Sequence, residues 1–370
     1  MPPLEAWERI LVDGEHVTEG IHGEIACVTC HQGQDVDDFE AAHEGLVRDP
    51  SDTADGVCGE CHADIQTASA NSLHVTLAGY DTALYARSVP ENHPVLEEME
   101  ANHCNGCHTS CGQCHISQPT SVGGGLLDGH AIVSKPPMTR TCTGCHGSRV
   151  KDEYTGRNEG IPGDVHFTQG RMSCVDCHTG DEMHGMGVED SHRYDGSRAP
   201  RCEDCHAEVV GEDSEVTQHS LHGDRLACQV CHSVAYTNCE GCHLGEGADY
   251  ELEASYTAFL IGRNPIQTYE RPYRFVPVRH VPVTTDTFDA YGPNLLPNFD
   301  ARETWTYSTP HNIQVNTPQA DSCNACHGNP DVFLTADKVD PEELEANRNV
   351  IVEEIPPQIT SAEQIPVLDR

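Results

Sequence analysis

Few windows of this chain carry a helical period. Its 32 glycines and 23 prolines break up the hydrophobic and polar pattern before most helices could form. One helix is predicted over 340–350, DPEELEANRNV, with Asp340 as N-cap, Pro341 at the first helical position and acids in the first turn. Residues 273–288, YRFVPVRHVPVTTDTF, are rich in β-branched side chains and predict short extended segments. Pro277 and Pro282 place these at sheet edges, because proline cannot donate to a ladder. The tail 350–360, VIVEEIPPQIT, is too apolar for disorder and offers a strand for pairing. No run of 18 apolar residues occurs, so no helical membrane span is predicted.

The cysteines change this picture. There are 20, and all fall in Cys-x-x-Cys-His units: Cys27/Cys30, Cys58/Cys61, Cys104/Cys107, Cys111/Cys114, Cys142/Cys145, Cys174/Cys177, Cys202/Cys205, Cys228/Cys231, Cys239/Cys242 and Cys323/Cys326. This is the attachment spacing for c-type haem. Two thiols on one turn add to the two haem vinyl groups, and the next histidine ligates the iron from below. Structural zinc would not demand a histidine at the same place ten times, and disulfides would leave the histidines without a role. A thioredoxin-type redox motif would occur once. The expectation is ten covalent haem c groups. Their proximal ligands are His31, His62, His108, His115, His146, His178, His206, His232, His243 and His327.

Fourteen of the 24 histidines remain. Ten irons each have a sixth position, so bis-histidine ligation throughout is the economical expectation. The favoured distal ligands are His22, His43, His74, His103, His130, His166, His184, His222, His280 and His311, with His219 as first reserve. His16, His93 and His192 are assigned to solvent or to haem propionates. The units starting at Cys104 and Cys111 should stack closely, as should those starting at Cys228 and Cys239.

Only 37% of residues are hydrophobic, a fraction that counts the cysteines, so a conventional core would be thin. The expected fold is that of a multihaem cytochrome c. It would have a haem-packed core, little regular secondary structure, short α-helices and a few short β-strands. Three regions follow: 1–243 with nine motifs, 244–322 haem-free, extended and donating distal ligands, and 323–370 with the tenth motif, the helix and the tail.

Twenty-one basic against 60 acidic residues leave a formal net charge of −39. Nucleic acid and anionic membranes are poor partners for such a surface. Abundant acids with few lysines suit either a salt-screened setting or an ordinary acidic secreted protein. Haem c is attached outside the cytoplasm, which predicts a periplasmic, cell-surface or extracellular location. No signal peptide is visible at MPPLEAWERI, so an export signal is expected to have been removed or omitted.

Three segments, HCNGCHTSCGQCHISQP, DVHFTQGRMSCVDCHTGDEMHG and TPHNIQVNTPQADSCNACHGN, resemble multihaem cytochromes c of the octahaem tetrathionate reductase-like branch. The architecture also resembles extracellular cytochrome nanowire subunits. The reductase relatives imply a lysine-ligated haem beside a free cysteine, and this chain has no spare cysteine. Electron transfer between redox proteins or extracellular acceptors is therefore the expected function, without catalytic residues and with end-to-end assembly into a filament. The alternative is a multihaem reductase of a small nitrogen or sulfur oxyanion, with Arg149 and Lys151 beside His146 as its cationic candidates.

Overall fold

The computed structural model describes residues 5–18, 20–51, 56–103, 109–187, 192, 194–195, 199–209, 214–223, 225–240, 255–281, 283–361 and 364–365. Helical turns account for 43% and strands for 6% of the structure. The turns are short, and among the described residues His93–His103 is the longest helix at 11 residues. No helix of the described residues is long and apolar enough to cross a membrane.

The chain divides into two compact units that interleave along the sequence. Unit 1 comprises Met1–Gly79, Cys104–Arg149 and Met172–Ala199; unit 2 comprises Tyr80–His103, Val150–Arg171 and Pro200–Arg370. Six motifs belong to unit 1 and four to unit 2. These boundaries cut across the three regions drawn from the sequence.

Unit 1 is almost without an apolar interior. Among its described residues Leu127 is the one fully buried large hydrophobic side chain. Its loops are held by hydrogen bonds instead. Leu126 N–H donates to Arg9 O (2.7 Å) and Leu127 N–H to Ile116 O (2.7 Å), and Arg140 makes two bonds to Asp128 at 2.8 and 2.9 Å. Asp128, Gly129 and His130 all have positive φ (44°, 72° and 84°). Gly129 is required there, since a Cβ would lie 2.5 Å from Asp13 Cβ.

Unit 2 has a conventional core built on two antiparallel sheets. β1 (Thr237–Glu240) pairs with β2 (Ser255–Ala258). β3 (Leu260–Arg263), β4 (Phe275–His280) and β5 (Trp305–Tyr307) form a second sheet in the order β3-β4-β5. The proline-bearing strand β4 is therefore central, contrary to the edge expectation. Pro277 lies one residue before the β5 ladder starts at Val278, and its carbonyl accepts from Ser308 N–H (2.9 Å). Pro282 lies outside the described residues. Val276, Val278, Leu296, Leu334 and Val350 are completely buried.

The C-terminal stretch completes this core rather than offering a strand to a partner. Arg263 N–H donates to Val350 O and Val352 N–H to Leu334 O, both at 2.8 Å. A side chain at Gly262 would approach Val278 and Val350 within 3.0 Å, so glycine lets the tail close against β3. The helix predicted over 340–350 is a 3-10 turn, Pro341–Glu343, followed by the α-turn Leu344–Asn347. Asp340 sits at the N-cap without a side-chain cap bond. Asn347 is completely buried. Its Oδ1 accepts from Thr304 and Trp305 N–H, and its Nδ2 donates to Thr304 Oγ1 and Glu343 O.

Candidate cofactor centre

Each described motif is one helical turn. Cys27–His31, Cys111–His115, Cys202–His206 and Cys228–His232 are five-residue α-turns. Cys142–Cys145 is a four-residue one, and the motifs starting at Cys58, Cys174 and Cys323 lie on 3-10 turns. The histidine N–H closes the turn onto the first cysteine's carbonyl, at 2.8 Å for His62 and His178, 2.9 Å for His327 and 3.0 Å for His146. Polar residues start the turns. Ser110 Oγ accepts from Gln113 N–H, while Asp176 and Asp204 accept from the N–H groups of Ser173 and Arg201. Cys104, Cys107, His108, Cys242 and His243 lie outside the described residues, and Cys239 contributes its backbone to β1.

Seven motif histidines each face one non-motif histidine. The pairs are His31–His130 (ring centres 5.8 Å apart), His62–His22 (6.1 Å), His115–His184 (6.1 Å) and His146–His74 (6.1 Å) in unit 1. Unit 2 holds His206–His166 (6.0 Å), His232–His219 (5.9 Å) and His327–His222 (6.2 Å). An imidazole nitrogen lies about 1.1 Å from its ring centre and a metal–imidazole bond is about 2.0 Å, so rings on opposite sides of one metal sit about 6.2 Å apart. Ordinary edge-to-face contacts span a similar range. They do not require that every pair join one motif and one non-motif ring, with no ring used twice. Phe39–His43 and Tyr85–His93, which are in direct contact, lie closer at 4.2 and 4.3 Å. The donor set and its spacing thus fit a six-coordinate haem iron at each of the seven positions.

The pairing histidines are held in place. Ser72 Oγ accepts from His74 N–H and donates to Met183 O, beside His184. Burial, then the facing His146, keeps His74 below the ordinary imidazole range, and burial followed by His115 does the same for His184. Burial leads again for His146, then His178 and Arg149. A lowered value favours the neutral imidazole that binds metal.

Other favoured distal candidates sit elsewhere. His280 is a correction. Its Nε2 lies 2.8 and 3.0 Å from the Glu343 carboxylate oxygens and its ring stacks on Trp305, so that nitrogen is taken. His43 is exposed, with Nδ1 on Phe39 O at 2.7 Å. His311 is half-buried and its backbone N–H donates to Glu153 Oε2. The side chains of His103 and His16 lie outside the described residues. His93 stacks on Tyr85, and His192 Nδ1 accepts from Tyr194 N–H. His219, held in reserve from the sequence, faces His232, and its neighbour His222 faces His327, so both histidines of one short helix, Thr217–His222, meet motif rings.

The thiols line up from motif to motif. In unit 1 Cys30 is within electrostatic reach of Cys61, Cys58 hydrogen-bonds Cys111, Cys114 senses Cys142 and Cys145, and Cys142 hydrogen-bonds Cys174. In unit 2 Cys202 hydrogen-bonds Cys228, and Cys231 senses Cys326. The Cys58 bond brings the Cys111 thiol down to about 6, and the Cys174 bond brings Cys142 down to about 7. None of the 16 described cysteines forms a disulfide. Among the described residues, no three His, Cys, Asp or Glu side chains converge as a metal site of the zinc type.

Six of the described thiols are exposed: Cys27, Cys61, Cys145, Cys177, Cys205 and Cys323. Cys174 and Cys202 open their motifs beside the thiols Cys142 and Cys228. Three residues on, Cys177 and Cys205 lie on the open side of the same turns. A thioether needs only a thiol within reach of a vinyl carbon, so exposure leaves the donor set intact.

No family model, curated protein or solved structure matches the chain.

Proposed function

We propose that this protein is an extracytoplasmic electron carrier holding ten covalent bis-histidine c-type haems. The observation that carries the reading is the one-to-one pairing of seven motif histidines with seven others near 6 Å. Each bound haem would supply a one-electron ferric/ferrous couple. The chain's residues would do the rest. The motif thiols would fix each haem covalently, and the paired imidazoles would supply both protein ligands of its iron and leave no place for a substrate. Within each unit the neighbouring motifs would hold the haems close enough for electrons to pass between them. The near absence of an apolar interior in unit 1 also supports the reading, since apolar plates would provide that interior. Attachment outside the cytoplasm places the protein in the periplasm, on the cell surface or beyond, with redox proteins or extracellular acceptors as partners.

Intact mass under denaturing conditions, after acid–acetone extraction, tests attachment. The expected result is the polypeptide plus roughly ten haem masses; colour passing into the organic phase would defeat the reading. The spectrum of the oxidised protein tests ligation. A purely low-spin pattern is expected, whereas a high-spin band would favour the reductase of a nitrogen or sulfur oxyanion. Filament assembly is part of the proposal and is read by negative-stain microscopy and light scattering at low and high salt. With the Val350–Val352 stretch buried in its own chain, the contact must use other surfaces. Single particles in both conditions would eliminate the filament and leave the carrier.

A further inference from the structure

The motif imidazoles and the rings that face them differ in what holds their outer nitrogen. An axial histidine donates its Nδ1–H to a nearby acceptor, and that acceptor's charge tunes the metal. For most braced rings it is a neutral backbone carbonyl: Val47 O for His31 (2.9 Å), Val133 O for His115 (2.6 Å), Gln314 O for His232 (3.0 Å), Pro357 O for His327 (3.2 Å) and Gln218 O for His222 (3.0 Å). Two rings meet carboxylates. His166 Nδ1 lies 2.8 Å from Asp164 Oδ1, and His178 Nδ1 lies 3.1 Å from both oxygens of Glu182.

Asp164 is 2% exposed. Its Oδ1 also accepts His166 N–H at 2.8 Å, and its Oδ2 accepts Ile313 N–H at 2.9 Å. None of these donors carries a formal charge when the imidazole is a metal ligand. Glu182 reaches His178 from one helical turn on and is the more exposed of the two, its side chain 19% accessible against 3% for Asp164.

We propose that Asp164 and Glu182 are potential-setting residues that make the irons at His166–His206 and His178 lower in potential than the carbonyl-braced sites of their units. This inference rests on the haem reading above. Two effects act with the same sign. A negative charge in a medium of low dielectric constant stabilises ferric over ferrous iron. A carboxylate also draws the Nδ1 proton more strongly than a carbonyl, which raises the basicity of Nε2 and again favours the ferric state. Reduction of either iron takes one electron, from a neighbouring haem in service or from dithionite in a titration. These two sites fill last, and electrons settle toward the carbonyl-braced sites.

The test is spectroelectrochemical titration of the haem-loaded full chain, wild type against Asp164→Asn and Glu182→Gln. Asp164→Asn also sets an amide opposite Ile313 N–H and is the variant more prone to misfold. Glu182→Gln, whose carboxylate is hydrogen-bonded to His178, keeps the question answerable. In each variant one haem's worth of the lowest-potential segment moves upward. A tenfold change in the ferric/ferrous ratio at fixed potential is about 59 mV for one electron. Superimposable curves for wild type and both folded variants, in protein with its full haem complement, overturn this inference alone, as does a shift confined to the highest-potential segment. A preparation without covalent haem overturns the underlying reading and this inference with it.

Discussion

Replacing His74 by alanine removes one ring of the His74–His146 pair and leaves the turn that carries it. The contacts holding position 74 use main-chain atoms. Its N–H donates to Ser72 Oγ at 3.2 Å, and its carbonyl accepts from Thr109 N–H (3.0 Å) and Oγ1 (2.9 Å). Alanine keeps all three. The cost in fold stability is therefore that of one half-buried side chain, about 1–2 kcal/mol. The cost in ligation falls on one site, that between His74 and His146, whose ring centres are 6.1 Å apart. One haem in ten becomes high-spin, and the reduced variant binds one equivalent of carbon monoxide per chain where the parent binds none. Added imidazole restores the low-spin spectrum by filling the vacant side. His280→Ala is the matched control: its Nε2 is already bonded to Glu343 at 2.8 Å, so the spin state stays unchanged. Stoichiometric carbon monoxide binding by the unaltered protein, or a high-spin band in His280→Ala equal to that in His74→Ala, would refute the reasoning.

Other substitutions probe the scaffold. Asn347→Ala strands the N–H groups of Thr304 and Trp305 in a buried site and should cost about 2–5 kcal/mol, read as a lower unfolding midpoint in chemical denaturation. Gly129→Ala forces a side chain into φ +72° and against Asp13, and should cost about 1–2 kcal/mol and raise a high-spin signal from the His31 site as His130 is displaced. Burial, followed by Asp81, pushes the Glu100 carboxyl up to about 7. The native state then holds a proton that the unfolded chain releases at ordinary carboxylate pH. This contribution is present at low pH and is lost as pH rises through about 7. Glu100→Gln should flatten stability between about pH 5 and 7 in denaturant melts, and an unchanged slope would refute the assignment.

The local turn at each motif was more legible in the sequence than the fold. Motif spacing is a local rule, since two cysteines and a histidine must share one turn, and every described motif forms such a turn. Which side of the turn meets solvent is not local, so the exposure of Cys177 and Cys205 could not be read from spacing. Distal assignment is also a long-range matter. His130 meets His31 across 99 residues and His222 meets His327 across 105, which spacing does not encode. The favoured set held His22 and His222, which the structure places opposite motif rings, but it put His280 ahead of His219. The decisive facts for those two are Glu343, which occupies His280, and the helix Thr217–His222, which turns both of its histidines toward motifs. The sheet was misjudged for a related reason. Pro277 marks an edge only when a neighbour needs its N–H, and the β5 ladder begins one residue later. The apolar tail was recognised as structural, but its destination is the core of its own unit.

The order of the paired histidines along the chain has a consequence for maturation. In five of the seven pairs the non-motif ring precedes its motif: His22 before His62, His74 before His146, His166 before His206, His219 before His232 and His222 before His327. A chain emerging from its N-terminus would have the sixth ligand already waiting when each of these haems is attached. The sites at His31 and His115 work the other way, since His130 and His184 emerge later. On the proposed haem reading, those two irons would pass through an open-sided interval, when they would be exposed to stray ligands and to oxygen.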